Sequence, residues 1–123
     1  MALLLYLRTN HRSIRYFMPF QSLSEIPARE IIPGFHGKMI HTDQMTLAFW
    51  EIKAGASLPE HHHPHEQVAN VLKGTFELTL DGETRQLGPG EVAVIPGNVP
   101  HSGRAITDCE LLDVFQPVRE DYR

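Results

Sequence analysis

The stretch that decides the fold is residues 55–74, which read GASLPEHHHPHEQVANVLKG. His61 and His63 are two positions apart, so on a β-strand their side chains point to the same face. Gln67 follows a turn at residues 64–65 and opens an apolar run. Two imidazoles and an amide at this spacing predict half of a metal site, placed across two neighbouring strands.

A second stretch supplies the other half of the predicted site. Residues 90–101 read GEVAVIPGNVPH, and His101 stands alone where the next strand is expected to begin. We therefore predict one divalent metal ion, which on these ligand types is Zn, Ni, Fe, Mn or Co. The alternative is a histidine-rich surface loop without a metal. The predicted ligands are His61, His63, Gln67 and His101.

The other two histidines of the run have a different predicted place. His62 points to the face opposite His61 and His63, and His65 lies in the turn. We expect both at the surface or behind the ligands.

Composition excludes several function classes. The chain has 123 residues, the size of one domain, with 41% apolar and 21% charged residues. Its net charge of −4 argues against a nucleic-acid partner. Cys109 is the only cysteine, so no intrachain disulfide forms, and we predict a reducing, cytoplasmic location. The sequence has no apolar run long enough for a membrane span.

The amino-terminal part differs from the rest of the chain. Residues 1–17 combine a short apolar run with arginines, and Met18 is a plausible native start, so we expect this segment to be an added tail. We divide the chain into an extension with a lead-in strand, residues 1–37, and a barrel domain, residues 38–123.

Short strands dominate the remaining pattern. Residues 75–80 alternate polar and apolar side chains, Asp81 and Gly82 form a hairpin turn signal, and residues 83–87 make the return strand. Residues 45–52 are apolar enough to be buried on both faces, with Trp50 in the core. Such spacing predicts an all-β protein, an antiparallel sandwich or barrel. Further strands are predicted at residues 91–95 and 110–115.

One charged residue interrupts the last strand. By alternation, Asp113 shares an apolar face with Leu111 and Phe115. Burial of a lone carboxylate is costly, so this residue is either functional or paired, for example with Arg119. The opposite face of the strand is also mostly apolar and needs cover, from a second copy of the chain or from the amino-terminal segment.

The two histidine stretches resemble the motifs of the cupin superfamily. The first fits G-x5-H-x-H-x3-E-x6-G with Gln67 in place of Glu. The second fits G-x5-P-x-G-x2-H-x3-N, with Asn98 in place of the inner Gly and Ala105 in place of Asn. The resemblance covers about residues 38–116 and implies a jelly-roll β-barrel with the metal in its mouth.

The carboxy-terminal residues indicate which group of cupins the chain resembles. Residues 113–122 read DVFQPVREDY, which looks like the end of the pectin- and alginate-degrading cupins that open 4,5-unsaturated uronates. This implies a uronate substrate, the four metal ligands above and a homodimer. It also implies an acid/base role for Asp113 and supporting roles for Phe115 and Arg119. Plain core packing of Phe115 and a surface ion pair of Arg119 with Glu120 or Asp121 are the alternatives.

Three other functions compete with this interpretation. A cupin dioxygenase with Fe(II) uses similar ligands, and a cupin without catalytic activity would bind a sugar or a metal only. A sugar-phosphate isomerase or epimerase would need clustered basic residues, whereas Lys53, Lys73, Arg85 and Arg104 are scattered.

Overall fold

The computed structural model describes residues 18–123, and the expected tail of residues 1–17 lies outside them. The described residues form ten strands and two short 3₁₀ turns, at Leu23–Glu25 and Glu120–Tyr122. The strands are β1 Arg29–Ile32, β2 Phe35–His41, β3 Thr46–Ile52, β4 Ser57–His61, β5 Glu66–Lys73, β6 Phe76–Leu80, β7 Glu83–Leu87, β8 Val92–Ile95, β9 His101–Ala105 and β10 Cys109–Gln116.

The strands form two antiparallel sheets. The larger sheet has the order β1-β2-β3-β10-β5-β8, and the smaller has the order β4-β9-β6-β7. This confirms the predicted all-β jelly-roll architecture. In the hairpin between β6 and β7, Asp81 and Gly82 have φ angles of 48° and 81°. Two consecutive positive φ values match the type I′ turn that the Asp-Gly pair predicts.

Strand β3 differs from its prediction. Thr46, Ala48, Trp50 and Ile52 are buried, but the alternate residues are partly or fully exposed. The prediction of burial on both faces is wrong because only one face of β3 packs between the two sheets. Trp50 is in the core, as predicted.

The core lies between the sheets and depends on one close approach. Phe76 on β6 and Leu111 and Phe115 on β10 are among its largest members, and burial of each stabilises the fold by about 1.5–3 kcal/mol. A Cβ atom at Gly103 on β9 would come within 2.4 Å of the Phe76 ring. Glycine at this position therefore lets the Phe76 ring pack directly against β9.

The buried polar residues gather at one end of this core. They are Thr46, His63, Gln67, His101, Asp113 and Arg119. All except Thr46 line one cavity, and the Thr46 hydroxyl accepts a hydrogen bond of 2.9 Å from the Arg119 amide. Because buried polar groups are costly without partners, this end of the barrel is where a site is expected.

The segment before β3 belongs to the same sheet. β1 pairs with β2, and β2 pairs with β3 along seven residues from Phe35 to His41. The division predicted between residues 37 and 38 therefore falls inside β2. Within residues 18–123 there is no helix of the length and apolarity needed to cross a membrane.

Candidate metal centre and active site

Three histidines converge at the cavity. One nitrogen from each of His61, His63 and His101 lies within 4.8 Å of the other two. His61 ends β4 and pairs directly with His101, which begins β9. The prediction that His61 and His63 share a strand is wrong, since β4 ends at His61 and His63 reaches the cluster from the following loop.

The backbone fixes the protonation of each ring. The Nδ1 atoms of His61, His63 and His101 lie 2.8, 3.1 and 2.8 Å from the carbonyl oxygens of residues 59, 65 and 99. A carbonyl only accepts, so each Nδ1 carries the hydrogen and each Nε2 presents a lone pair. The Nε2 atom of His101 is buried without a partner among the described residues. Lone pairs held in this way are the arrangement that a metal ion requires.

Two of the histidines, His63 and His101, are also kept neutral. Burial, followed by the charge of Arg119 and by His101, lowers the pKa of His63 to about 4. Burial likewise lowers the pKa of His101. Because only the neutral ring can bind a metal, both residues are ready to do so at neutral pH.

Gln67 completes the set of donors. It begins the buried face of β5, and its Oε1 atom lies 3.2 Å from Nε2 of His63. With Nδ1 of His63 protonated, both of these atoms are acceptors, and a shared cation would relieve their repulsion. Three imidazoles and one amide oxygen therefore fit a divalent ion, and the donor types do not single out one metal.

The loop before β9 holds His63 in place. The Asn98 amide donates a hydrogen bond of 2.7 Å to the His63 carbonyl oxygen. The φ angle of Asn98 is 65°, in the left-handed region where Asn is tolerated better than most residues. This explains how Asn98 replaces the motif's glycine. The neighbouring Gly97 cannot be replaced by a larger residue, because a Cβ atom there would lie 2.5 Å from the Pro64 carbonyl oxygen.

Asp113 lies on β10 and faces the same cavity. Its Oδ2 atom accepts a hydrogen bond of 3.0 Å from the Trp50 indole, whereas Oδ1 has no partner in the described part of the chain. Burial raises the pKa of Asp113 to about 6, against the opposing effects of Gln67, Trp50 and Arg119. The supporting role of Trp50 is missed by the sequence analysis, which assigns this residue to the core alone.

Arg119 forms the ion pair that the alternative predicts, but it also lines the cavity. It pairs with Asp121 as the alternative supposes, through Nε–Oδ1 and Nη2–Oδ2 contacts of 2.9 and 2.6 Å. It is nevertheless buried rather than on the surface. Its guanidinium lies over the rings of Phe115 and Tyr122, at 4.8 and 4.1 Å from their centroids.

Comparison with known proteins identifies the fold. The model of the cupin domain family matches residues 48–115. The chain belongs to the cupin family. It is 31% identical to the pectin degradation protein KdgF of Dickeya dadantii over 111 residues, which cover 88% of this chain and 97% of that protein.

Two solved structures agree with this membership. The structure of KdgF from a Halomonas species superposes with a TM-score of 0.82 and 31% identity, covering 87% of this chain and all of that one. An RmlC-like cupin from Shewanella frigidimarina gives a TM-score of 0.83 and 27% identity, covering 87% of this chain and 97% of that one. The chain is therefore a KdgF-like cupin, which confirms the family that the motifs and the tail predict.

All seven predicted site residues line one cavity of this cupin, of about 130 Å³. Phe115 is both core and cavity wall, since it is 2% exposed and its ring lies 5.7 Å from that of His63. Tyr122 also lines the cavity, and only its position at the end of the tail motif could have indicated this. His62 is exposed, and His65 lies behind His63 with ring centroids 5.4 Å apart.

Proposed function

We propose that this cupin opens the ring of 4,5-unsaturated uronates, the sugars that pectin and alginate lyases release, to give the linear keto form. The observation that carries the proposal is the buried carboxyl of Asp113, which faces the histidine cluster and Arg119 across one cavity. Similarity to KdgF proteins, one of which is named for pectin degradation, supports it.

A divalent metal ion would be held by His61, His63, Gln67 and His101. When bound, it would supply Lewis-acid polarisation of substrate oxygens. All four side chains are neutral as ligands, so they leave the positive charge of the ion available to an anionic substrate.

Asp113 moves the proton that the reaction needs. The substrate is a cyclic hemiacetal and an enol ether, and Asp113 as carboxylate takes the proton of the anomeric hydroxyl. The bond between the anomeric carbon and the ring oxygen then breaks, which gives an aldehyde at the anomeric carbon and an enolate at the former ring oxygen. The same proton is then returned to carbon 4. One proton passes from oxygen to carbon and no co-reactant is consumed. A pKa raised to about 6 suits a group that both accepts and returns a proton.

Arg119 and Phe115 shape substrate binding. Arg119 is the only Lys or Arg among the described residues that line the cavity. A single guanidinium matches one carboxylate, whereas a sugar phosphate would be better served by several cations. Phe115 covers the inner wall next to His63 and excludes water from the reacting atoms.

A homodimer is part of this proposal. On the outer face of the larger sheet, Leu47, Phe49, Leu112 and Val114 are only partly buried within one chain. A second copy that covers this face would remove apolar surface from water. The cytoplasmic location stays a prediction.

The decisive experiment follows the ultraviolet absorbance of the conjugated enol-ether carboxylate, which ring opening abolishes. Metal-loaded protein is expected to accelerate the loss over the spontaneous rate. Asp113→Asn should lower this acceleration by about 10²–10⁴-fold with the metal retained. The matched control is Glu110→Gln, on the same strand but at the outer face, where Glu110 pairs with Lys73.

Other outcomes would replace the proposal. A full rate in Asp113→Asn would remove the proton-transfer role from this residue. Oxygen consumption by the wild-type protein with a candidate substrate would favour the Fe(II) dioxygenase. Binding of a uronate without turnover would favour a cupin that only binds its ligand.

A further inference from the structure

Arg119 is a buried cation that is held from the rim of the barrel. Its side chain is 9% exposed, whereas that of its partner Asp121 is 59% exposed. Both oxygens of Asp121 bind one side of the guanidinium, and the rings of Phe115 and Tyr122 lie against its plane. A buried guanidinium without its carboxylate partner would be costly, so this contact fixes where the cation lies.

The contact with Asp121 uses only part of the guanidinium. Asp121 binds the Nε and Nη2 atoms, which uses two of the five N–H donors. The remaining three belong to Nη1 and Nη2, and they form the end of the planar fork. This end matches a second carboxylate in a two-point arrangement. Asp121 thus sets the plane of the fork without occupying the edge that a substrate would use.

The turn that carries Asp121 is itself anchored. The Tyr122 carbonyl accepts a hydrogen bond from Arg29 on β1, and the Arg119 amide is bound by the buried Thr46 hydroxyl. The Tyr122 ring packs edge-on against Trp50 and Phe115, with centroids 6.0 and 5.8 Å apart. Asp121 therefore lies between Arg119 and Tyr122, whose backbones are both anchored by these contacts, and it holds the Arg119 side chain in one orientation.

We propose that Asp121 is a positioning residue that orients Arg119 and so determines the selectivity of the cavity for a free carboxylate. The proposal rests on the proposed function, because it assigns the uronate carboxylate to the free end of Arg119. Asp121 does not touch the substrate and acts only through the guanidinium.

The test compares Asp121→Asn with Glu120→Gln, the neighbouring acid of the same turn, which pairs with Arg123 at 3.2 Å. The kcat and KM of each metal-loaded variant are measured with a 4,5-unsaturated monouronate and with its methyl ester. The wild-type protein is expected to prefer the acid. Asp121→Asn should raise KM for the acid about tenfold, leave kcat within about twofold and leave the ester unchanged. Glu120→Gln should behave as wild type.

The ratio of acid to ester efficiency separates positioning from a structural role. Asp121→Glu, which keeps the charge, should recover part of the preference that Asp121→Asn loses. An unchanged acid-to-ester ratio in Asp121→Asn would overturn the proposal, even if the efficiency with both substrates falls. A wild-type protein that opens neither substrate would contradict the proposed function itself, and with it this role of Asp121.

Discussion

The two sides of the cavity are supported over different distances in sequence. On the histidine side, each Nδ1 atom is bound by a carbonyl only two residues away. On the Asp113 side, the supporting hydrogen bonds Trp50–Asp113, Thr46–Arg119 and Arg29–Tyr122 join residues 63, 73 and 93 positions apart. The tautomer of each histidine is thus set by its own loop, although the pairing of His61 with His101 and the contact of Asn98 with His63 bring the rings together. The proposed proton-transfer group depends on the completed barrel for its hydrogen bond as well.

This difference predicts which substitutions affect metal binding and which affect turnover. Changes within a few residues of a histidine should act on the metal, and distant changes on β1 or β3 should act on Asp113 and Arg119. Substitutions on the two sides should therefore separate metal content from turnover.

Removal of a ligand tests the local side and has the largest expected effect. His101→Ala should lower metal affinity by more than about 100-fold, because its buried Nε2 atom has no other partner in residues 18–123. Elemental analysis after dialysis measures the loss. His62→Ala, at an exposed position in the same histidine run, should keep the metal. Equal metal content in wild type and His101→Ala would remove this residue from the ligand set.

The charge of Asp113 tests the distant side through stability. Burial raises the pKa of this carboxyl from 3.8 to about 6, so the folded chain holds the proton more tightly than the unfolded chain. The contribution of Asp113 to the free energy of unfolding should therefore fall by up to about 3 kcal/mol as pH rises between these values. The lowered pKa of His63 acts in the opposite direction over nearly the same range, so the difference between wild type and Asp113→Asn isolates the carboxyl. Metal-free Asp113→Asn should escape this loss and be the more stable protein above about pH 7. Denaturant unfolding at several pH values measures it, and parallel curves for the two proteins would contradict the prediction.

A smaller effect is expected when only the support of Asp113 is removed. Trp50→Phe deletes the indole N–H that lowers the pKa of Asp113, while most of the ring volume stays. We expect kcat to fall about tenfold and the pH of half-maximal activity to rise. Glu51→Gln, at the exposed position next to Trp50 on the same strand, is the control. An unchanged pH profile in Trp50→Phe would show that the hydrogen bond does not tune the carboxyl.

The smallest effect is expected at the loop behind His63. Asn98→Ala places a residue that disfavours positive φ at 65° and should destabilise the fold by about 1 kcal/mol. Asn98→Gly restores the usual residue of the motif and should be nearly neutral. Thermal unfolding of both variants checks this, and equal melting temperatures for Ala and Gly would show that the backbone angle is unimportant there.

The same difference in distance explains how much the sequence predicts. The fold, the hairpin and the meeting of three histidines follow from short motifs and alternation. The contact of Trp50 with Asp113 does not, because it depends on the register of β3 and β10. This register places Trp50 opposite Leu111 and Ala48 opposite Asp113, so the indole reaches the carboxyl diagonally. The burial of Arg119 and the place of Tyr122 require the barrel wall to exist first.

The hydrogen bond from Arg29 to the Tyr122 carbonyl has a consequence for motion. Among residues 18–123, β1 is an edge strand that pairs only with β2, and edge elements are among the first to open by local unfolding. When β1 separates from the sheet, the turn that carries Asp121 loses its anchor. The amide hydrogens of β1 and of Tyr122 are therefore expected to exchange with solvent together, as one cooperative unit that opens the mouth of the barrel.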